Sequence, residues 1–263
     1  MDYGIAGRVA LVGGASQGIG LACASALARE GVRVAICARD AERATAAAES
    51  LRARSGGQVV AVVGDLSHEA DVDRVLDETL ARLGEIEILV TNTGGPRPGL
   101  FEDLNDEDWD QAYELLVKSA IRLIRGVLPA MRERRWGRVI GVTSVSVKEP
   151  IEQLILSNVF RSGVTALFKT LAREQARHGI TFNTVLPGLT DTERLAELYE
   201  AQAEREGIAL EDLMARVARA LPLGRLNRPD ELGELVAFLA SEAASGITGD
   251  ALAVDGGQLR GLL

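Results

Sequence analysis

Val9-Ala10-Leu11-Val12-Gly13-Gly14-Ala15-Ser16-Gln17-Gly18-Ile19-Gly20 is an apolar run that passes through a glycine-rich turn straight into a helical pattern, Ile19–Arg29. A run with no polar residue suits a strand covered on both faces. The glycines let the backbone turn tightly and come close to a pyrophosphate, which would sit on the free N–H groups of the following helix. The spacing is Gly14-x3-Gly18-x-Gly20 rather than G-x-G-x-x-G, so the turn draws its meaning from its context.

That context is a chain of alternating elements. Further runs rich in Val, Ile and Ala follow at Val32–Cys37, Val59–Val63, Ile86–Val90, Val139–Val142, Ile180–Leu186 and Ala251–Val254, several of them apolar throughout. Between them lie helical periodicities at Ala41–Arg54, Glu69–Leu83, Asp108–Arg135 and Val159–His178, with Pro129 marking a kink or break in the third of these. Strands alternating with helices predict an α/β fold: one Rossmann-type domain over residues 1–263, a doubly wound parallel sheet of about seven strands with helices on both faces. The longer interval Thr190–Ser245 reads as several helices. Its first part, about 190–220, is amphipathic through Leu195, Leu198, Leu210, Leu213 and Val217, which fits a lid over a site at the strand ends or plain additional packing. The acidic stretch Glu102–Asp110 predicts a solvated helix start capped by Asn105 or Asp106.

Composition narrows the function. The chain has 263 residues, 47% hydrophobic and 25% charged, with a formal charge of −9. An acidic balance argues against a nucleic-acid partner, whose phosphates need clustered Lys and Arg. No apolar run reaches the roughly 20 residues of a membrane helix, and the opening residues lack a signal peptide's charged and apolar regions, so a cytoplasmic protein is expected. Cys23 and Cys37 suggest no disulfide framework. His68 reads as a helix-start residue and His178 as a helix-end cation, and no metal site is expected.

About 20 residues beyond the glycines, the second strand ends in Ile36-Cys37-Ala38-Arg39-Asp40. A carboxylate at the strand end would bond a ribose 2′-hydroxyl, whereas arginine accommodates a 2′-phosphate. Ala38 followed by Arg39 points to NADP rather than NAD. Asp40 is the counter-signal, because it would face the ribose if the strand ended two residues later.

Taken together these residues resemble the short-chain dehydrogenase/reductase family over essentially the whole length. Gly14-Ala15-Ser16-Gln17-Gly18-Ile19-Gly20 matches its cofactor loop, with Gly13 where Thr is usual. Asp65-Leu66 looks like its adenine-contacting pair, and Thr91-Asn92-Thr93-Gly94 resembles its Asn-Asn-Ala-Gly turn. Asn183 through Pro187-Gly188, then Thr192, is similar to the segment at the nicotinamide end. Leu223-Gly224-Arg225, Arg228-Pro229 and Ile247-Thr248-Gly249 leading to Val254-Asp255-Gly256-Gly257 look like its C-terminal signature. The resemblance implies hydride transfer between NAD(P) and an alcohol or carbonyl, a small-molecule substrate, and a homo-oligomer, tetramer or dimer.

The same resemblance implies four catalytic groups, and here the chain departs from the pattern. Ser144 falls on the family's serine. The Tyr-x-x-x-Lys helix reads Ser157-Asn158-Val159-Phe160-Arg161, so Ser157 replaces tyrosine and Arg161 replaces lysine, while Leu116 stands at the asparagine position. Residues four apart share a helix face, so Ser157 and Arg161 still point into one site, and Arg161 could still grip ribose hydroxyls. Serine is a far poorer proton donor than a phenol with a pKa of about 10. Lys148, Tyr113 and Tyr199 are candidate substitutes, each also readable as a surface cation or packing aromatic. Arg97, in the proline-rich turn Gly94–Gly99, could meet an anionic substrate or simply be solvated. Three readings stay open at this point: an NADPH-dependent oxidoreductase with a non-standard proton donor, acting on a small or medium carbonyl or alcohol such as an oxoacyl compound; a nucleotide-binding sensor, partner or scaffold without turnover; and non-redox chemistry around a structural NADP.

Overall fold

In a computed structural model, residues 2–262 are described; the first and last residues of the predicted 1–263 domain lie outside them. Seven strands form one parallel sheet: β1 (Val9–Val12), β2 (Arg33–Ala38), β3 (Val59–Val63), β4 (Ile88–Thr91), β5 (Gly137–Val142), β6 (Ile180–Pro187) and β7 (Ala251–Val254), in the order 3-2-1-4-5-6-7. Nine helices belong to the described residues: α1 (Gly18–Arg29), α2 (Ala41–Ser55), α3 (Glu69–Leu83), α4 (Asp106–Tyr113), α5 (Ser119–Arg134), α6 (Ile155–Gln175), α7 (Glu193–Glu206), α8 (Leu210–Ala220) and α9 (Pro229–Ala240).

Successive strand residues point to opposite faces, and both faces are apolar. Ala10, Val12, Val34, Ile36, Val90 and Ile140 pack with α1, α2 and α9. Val9, Leu11, Ala35, Cys37, Leu89 and Phe182 pack with α3, α5 and α6 on the other side. This two-sided burial explains why runs such as Val9–Val12 and Val139–Val142 read as continuously hydrophobic. Cys23 and Cys37 are both free and buried, and burial pushes each thiol's pKa up to about 12, so they act as small apolar residues.

Four expectations need correction. The predicted Asp108–Arg135 helix is two helices joined by a π turn over Glu114–Lys118, and α5 runs on through Pro129 to Arg134. Val159–His178 begins earlier, at Ile155, and closes in a 3₁₀ turn over Ala176–His178. His178 is no helix-end cation: desolvation and the charges of Arg177, Arg132 and Arg135 push its pKa down, and its Nε2 accepts from Arg177 Nε at 3.2 Å. Asp40 lies beyond the end of β2 at Ala38 and caps α2, its carboxylate accepting from Arg43 N at 3.0 Å. Asn105 is the cap of α4.

The return from α8 to α9 is anchored by a fork. Arg225 donates to Glu231 at 2.6 and 3.1 Å, and Arg228 N donates to Glu231 at 2.7 Å. Asn227, between the two arginines, hydrogen-bonds the backbone of Leu189, so the fork holds the loop that follows β6. The Arg225 bonds, then the Arg228 amide, lower the Glu231 pKa to about 2. A carboxylate depressed in the folded state stabilises fully above its unfolded value of 4.5 and loses that contribution as pH falls towards 2. The stability difference between wild type and Glu231→Gln, measured by urea denaturation, is therefore expected to be constant from pH 7 to about 5 and to shrink steadily below that. A pH-independent difference would contradict it.

Candidate active site

In open parallel sheets, ligands bind beyond the carboxyl ends of the strands, where the winding reverses. Here the reversal lies between β1 and β4. Two adjoining clefts, of about 290 and 720 Å³, open at that place and share Gly14, Gln17, Asn92, Thr93, Gly94 and Gly95.

The shared wall is built from the turn after β1. Gly14 has a φ of +54°, a conformation natural only to glycine. A side chain at Gly20 would collide with the Gly14 carbonyl oxygen and lie 2.8 Å from Asn92 Nδ2. Asn92, at the end of β4, donates to the carbonyls of Gly13 and Gly14 at 3.0 and 3.2 Å and so fixes the turn. Helix α1 begins at Gly18, after Gln17, whose side chain makes no capping bond. Its first N–H groups are left for a ligand. A backbone cradle with no room for side chains, closed by an uncapped helix start, suits a diphosphate.

The larger cleft runs from this turn to the ends of β2 and β3. Ser16, Ala38, Arg39, Arg43, Asp65 and Leu66 line it. Asp65 accepts from Ser67 N and Oγ and stands 3.8 Å from Arg39 Nη1. Burial alone would raise the Asp65 pKa, but the Ser67 bonds and Arg39 outweigh it and hold it low. Arg39 is 77% exposed at the rim. Beside it, Arg43 donates to Gln17 Oε1 at 2.8 Å. Asp40 borders this half of the cleft too but spends its carboxylate on the helix cap and on Arg43 at 3.7 Å, and two arginines, Arg39 and Arg43, flank it.

The smaller cleft lies over β4, β5 and β6. Its lining includes Gly18, Ile19 and Gly20 on α1, Ser144 after β5, Ser157 and Arg161 on α6, Pro187 and Gly188 at the end of β6, and Thr192. Ser144 caps a 3₁₀ turn, its Oγ accepting from Ser146 N at 3.1 Å, so its hydroxyl hydrogen is left to point elsewhere. Ser157 is 8% exposed, and its Oγ accepts from Arg161 Nε at 3.0 Å. Arg161 also donates to the Val142 carbonyl at 3.1 Å. Desolvation, then the charge of Arg194, lowers the Arg161 pKa to about 10, so it remains a cation at neutral pH. Thr192 caps α7, accepting from Leu195 N at 3.2 Å.

Every residue predicted from the glycine turn, the strand ends and the α6 face thus borders one of the two clefts. The substitute catalysts do not. Tyr113 packs against Phe160 with ring centroids 5.9 Å apart and lines neither cleft. Lys148 lines a separate cavity near Gly249, and on α7 it is Leu198, not Tyr199, that borders the site. Leu116 lines a small void of about 20 Å³ beneath Arg161. Arg97 borders the smaller cleft but is paired with Asp108 at 2.7 Å. Sequence reasoning missed Arg43 and Arg194. Arg43 had a signal, three positions after Asp40 at the start of α2, while Arg194, on α7, lines the smaller cleft and donates to the Pro96 carbonyl at 3.3 Å. Among the described residues, no group of three or more His, Cys, Asp or Glu could hold a metal, and no helix is long and apolar enough to cross a membrane.

A family model described as enoyl-(acyl carrier protein) reductase matches residues 14–258. The 3-oxoacyl-[acyl-carrier-protein] reductase of Escherichia coli K12 is 37% identical over 251 residues, covering 95% of this chain and 97% of the relative. The L-sorbose reductase of Gluconobacter frateurii, in a structure complexed with NADPH and L-sorbose, superposes with a TM-score of 0.95 at 35% identity and full coverage of both chains. An NADPH-bound short-chain oxidoreductase of Pseudomonas aeruginosa PAO1, described as containing an atypical catalytic center, is 33% identical with a TM-score of 0.89, covering 98% of this chain and 99% of that one. With the fold, the cradle at the reversal point and these relatives in agreement, this chain belongs to the short-chain dehydrogenase/reductase family.

Proposed function

We propose that the protein is an NADPH-dependent oxidoreductase that interconverts a small or medium carbonyl compound, of the oxoacyl kind, and its alcohol without the family's tyrosine and lysine. The observation that carries this reading is Ser144, Ser157 and Arg161 gathered on one cleft that continues past the glycine turn to Arg39 and Arg43. When bound, NADPH supplies a hydride to the carbonyl carbon and is left as NADP⁺, while the oxygen takes a proton.

The residues divide the remaining work. The α1 N-terminus and Gly14, Ser16, Gln17, Gly18, Ile19 and Gly20 hold the diphosphate. Asp65, Leu66, Asn92, Thr93 and Gly94 border the adenosine half, and Arg39 with Arg43 meets the 2′-phosphate. Pro187, Gly188 and Thr192 shape the nicotinamide end. Ser144 donates its free hydroxyl hydrogen to the carbonyl oxygen and stabilises the charge that develops there. The proton comes through Ser157, whose hydroxyl the Arg161 guanidinium polarises, and Ser157 is then reprotonated from solvent. Helices α7 and α8 serve as the lid over about 190–220. The complete cleft favours turnover over a silent scaffold.

The test is a fluorescence titration with NADPH and NADH. NADPH is expected to bind in the micromolar range, about −8 kcal/mol, and more tightly than NADH. Arg39→Ala should cost NADPH about tenfold or more and leave NADH nearly unchanged, as expected for a lost charge-assisted contact. An equal effect on both nucleotides would remove the 2′-phosphate assignment, and no binding of either would remove the enzyme reading.

A further inference from the structure

Thr91 closes β4 with its side chain on the face that carries Leu89, towards α5 and α6. It is 7% exposed, and its Oγ1 has no hydrogen-bond partner. A buried hydroxyl left in that condition is costly, and folded proteins satisfy nearly all of them with protein groups or ordered water. Among the described residues only one other buried side-chain atom, Ser146 Oγ, stands so, and it lines none of the cavities described above. Thr91 does: it borders the void of about 20 Å³ beneath Arg161, together with Ser119 of α5. Leu116, Leu123 and Val164 supply apolar walls.

A void of that size has room for one water, which needs about 10–15 Å³, and for no larger ligand. The groups around it decide the occupant. Arg161 spends two of its N–H groups on Ser157 and Val142, and a guanidinium only donates. Ser119 has given its hydroxyl hydrogen to the Leu115 carbonyl, so towards the void it only accepts. Thr91 can do either. A halide would accept from Arg161 and Thr91 but face the lone pairs of Ser119, and a cation would be repelled by the guanidinium. Water both donates and accepts, and so completes all three. We infer that one resident water sits in this void, accepting from Arg161 and donating to Ser119 with Thr91 as its third partner, and that Thr91 is thereby a positioning residue for Arg161. Held from below, the guanidinium keeps its Nε–H on the Ser157 hydroxyl, 3.0 Å away. Leu116 contributes only carbon to this void, so the hold on the water falls to β4 and α5. The water stands on the geometry of the void alone, and its bearing on Ser157 rests on the oxidoreductase reading above.

The experiment turns on Thr91→Val, which keeps the branched shape, suits a strand equally and deletes only the hydroxyl. If that hydroxyl had no partner, deleting it would relieve a cost and raise Tm. With the water present, deletion strips a partner from it, and Tm is expected to fall by about 2–4 °C. A high-resolution crystal structure should show one water against Thr91 Oγ1 in wild type and in Thr91→Ser, none in Thr91→Val, and no halide there after a bromide soak. In isotope-labelled protein the Arg161 Nε–H resonance, assigned by its loss in Arg161→Gln, should exchange with solvent at least tenfold faster in Thr91→Val and recover in Thr91→Ser. No water in wild type, bromide in the void, or a Thr91→Val protein that melts at the same or a higher temperature would overturn the site. Unchanged Arg161 exchange would overturn the positioning role. If Thr91→Val does not fold, wild type and Thr91→Ser still decide whether the water is there. None of these readouts needs turnover, so the inference can fail with the oxidoreductase reading intact, whereas a wild type that binds no NADPH would overturn that reading and leave the water standing.

Discussion

Ser144→Ala is expected to lower kcat/KM for carbonyl reduction by about 10²–10³-fold, the usual cost of removing one donor aimed at a developing oxyanion. NADPH affinity should stay within about twofold, because the glycine turn, Asn92 and Arg39 are untouched. The prediction is sharp because the Ser144 hydroxyl already has one neighbour: it accepts from Ser146 N at 3.1 Å. Its hydrogen is thereby directed away from that turn. Alanine removes both the cap and the donor, and the lost cap alone costs about 1 kcal/mol of stability. A thermal melt separates the two effects, since a cold-stable but inactive variant shows that the hydroxyl acts on the substrate. Undiminished turnover would move the chemistry to another part of the molecule.

Gly20→Ala should abolish nucleotide binding, weakening NADPH by at least about 100-fold, and destabilise the fold by roughly 1–3 kcal/mol, the range for forcing extra volume into a packed place. A methyl group there has no room: it meets the Gly14 carbonyl and lies 2.8 Å from the Asn92 amide. These are backbone and a doubly bonded side chain, so neither can swing aside cheaply. The contrast is Gly163→Ala on the exposed face of α6, where a methyl group meets nothing within 4 Å. That change should stabilise by roughly 0.5–1 kcal/mol through helix propensity alone. Melting curves and NADPH titrations of the two variants side by side check both statements, and tight NADPH binding by Gly20→Ala would contradict the assignment of the cradle.

The strands were legible because a sheet covered on both faces makes its short runs mostly apolar, and β1 carries this to the limit in Val9–Val12, with no polar residue at all. Helix ends were legible where a cap marks them, as at Asn105. The π turn at Glu114–Lys118 was not, because one wider turn interrupts neither the run of helix-forming residues nor the chain's course, and Pro129 drew attention to the wrong place. The counter-signal of Asp40 needed coordinates, since a carboxylate two residues past a strand can face a ligand or cap a helix with equal local logic. The glycines were legible through the strand-to-helix turn they form, while Ser144, Ser157 and Arg161, singled out by the family resemblance, border the smaller cleft. Arg194 was hidden because its approach to Pro96 depends on how α7 lies across the cleft.

The bonds from the Asn92 amide to two consecutive carbonyls of the glycine turn also bear on the speed of binding. The amide spans the two strands at the reversal point, so the turn takes its shape when β1 and β4 pair and keeps it. A nucleotide therefore meets a finished surface there and has no loop to wait for. Association should follow a single phase proportional to nucleotide concentration, with no plateau set by a slow rearrangement of the turn. Breaking the tie with Asn92→Ala should slow entry more than it hastens departure, because the turn would then have to find its shape at each encounter.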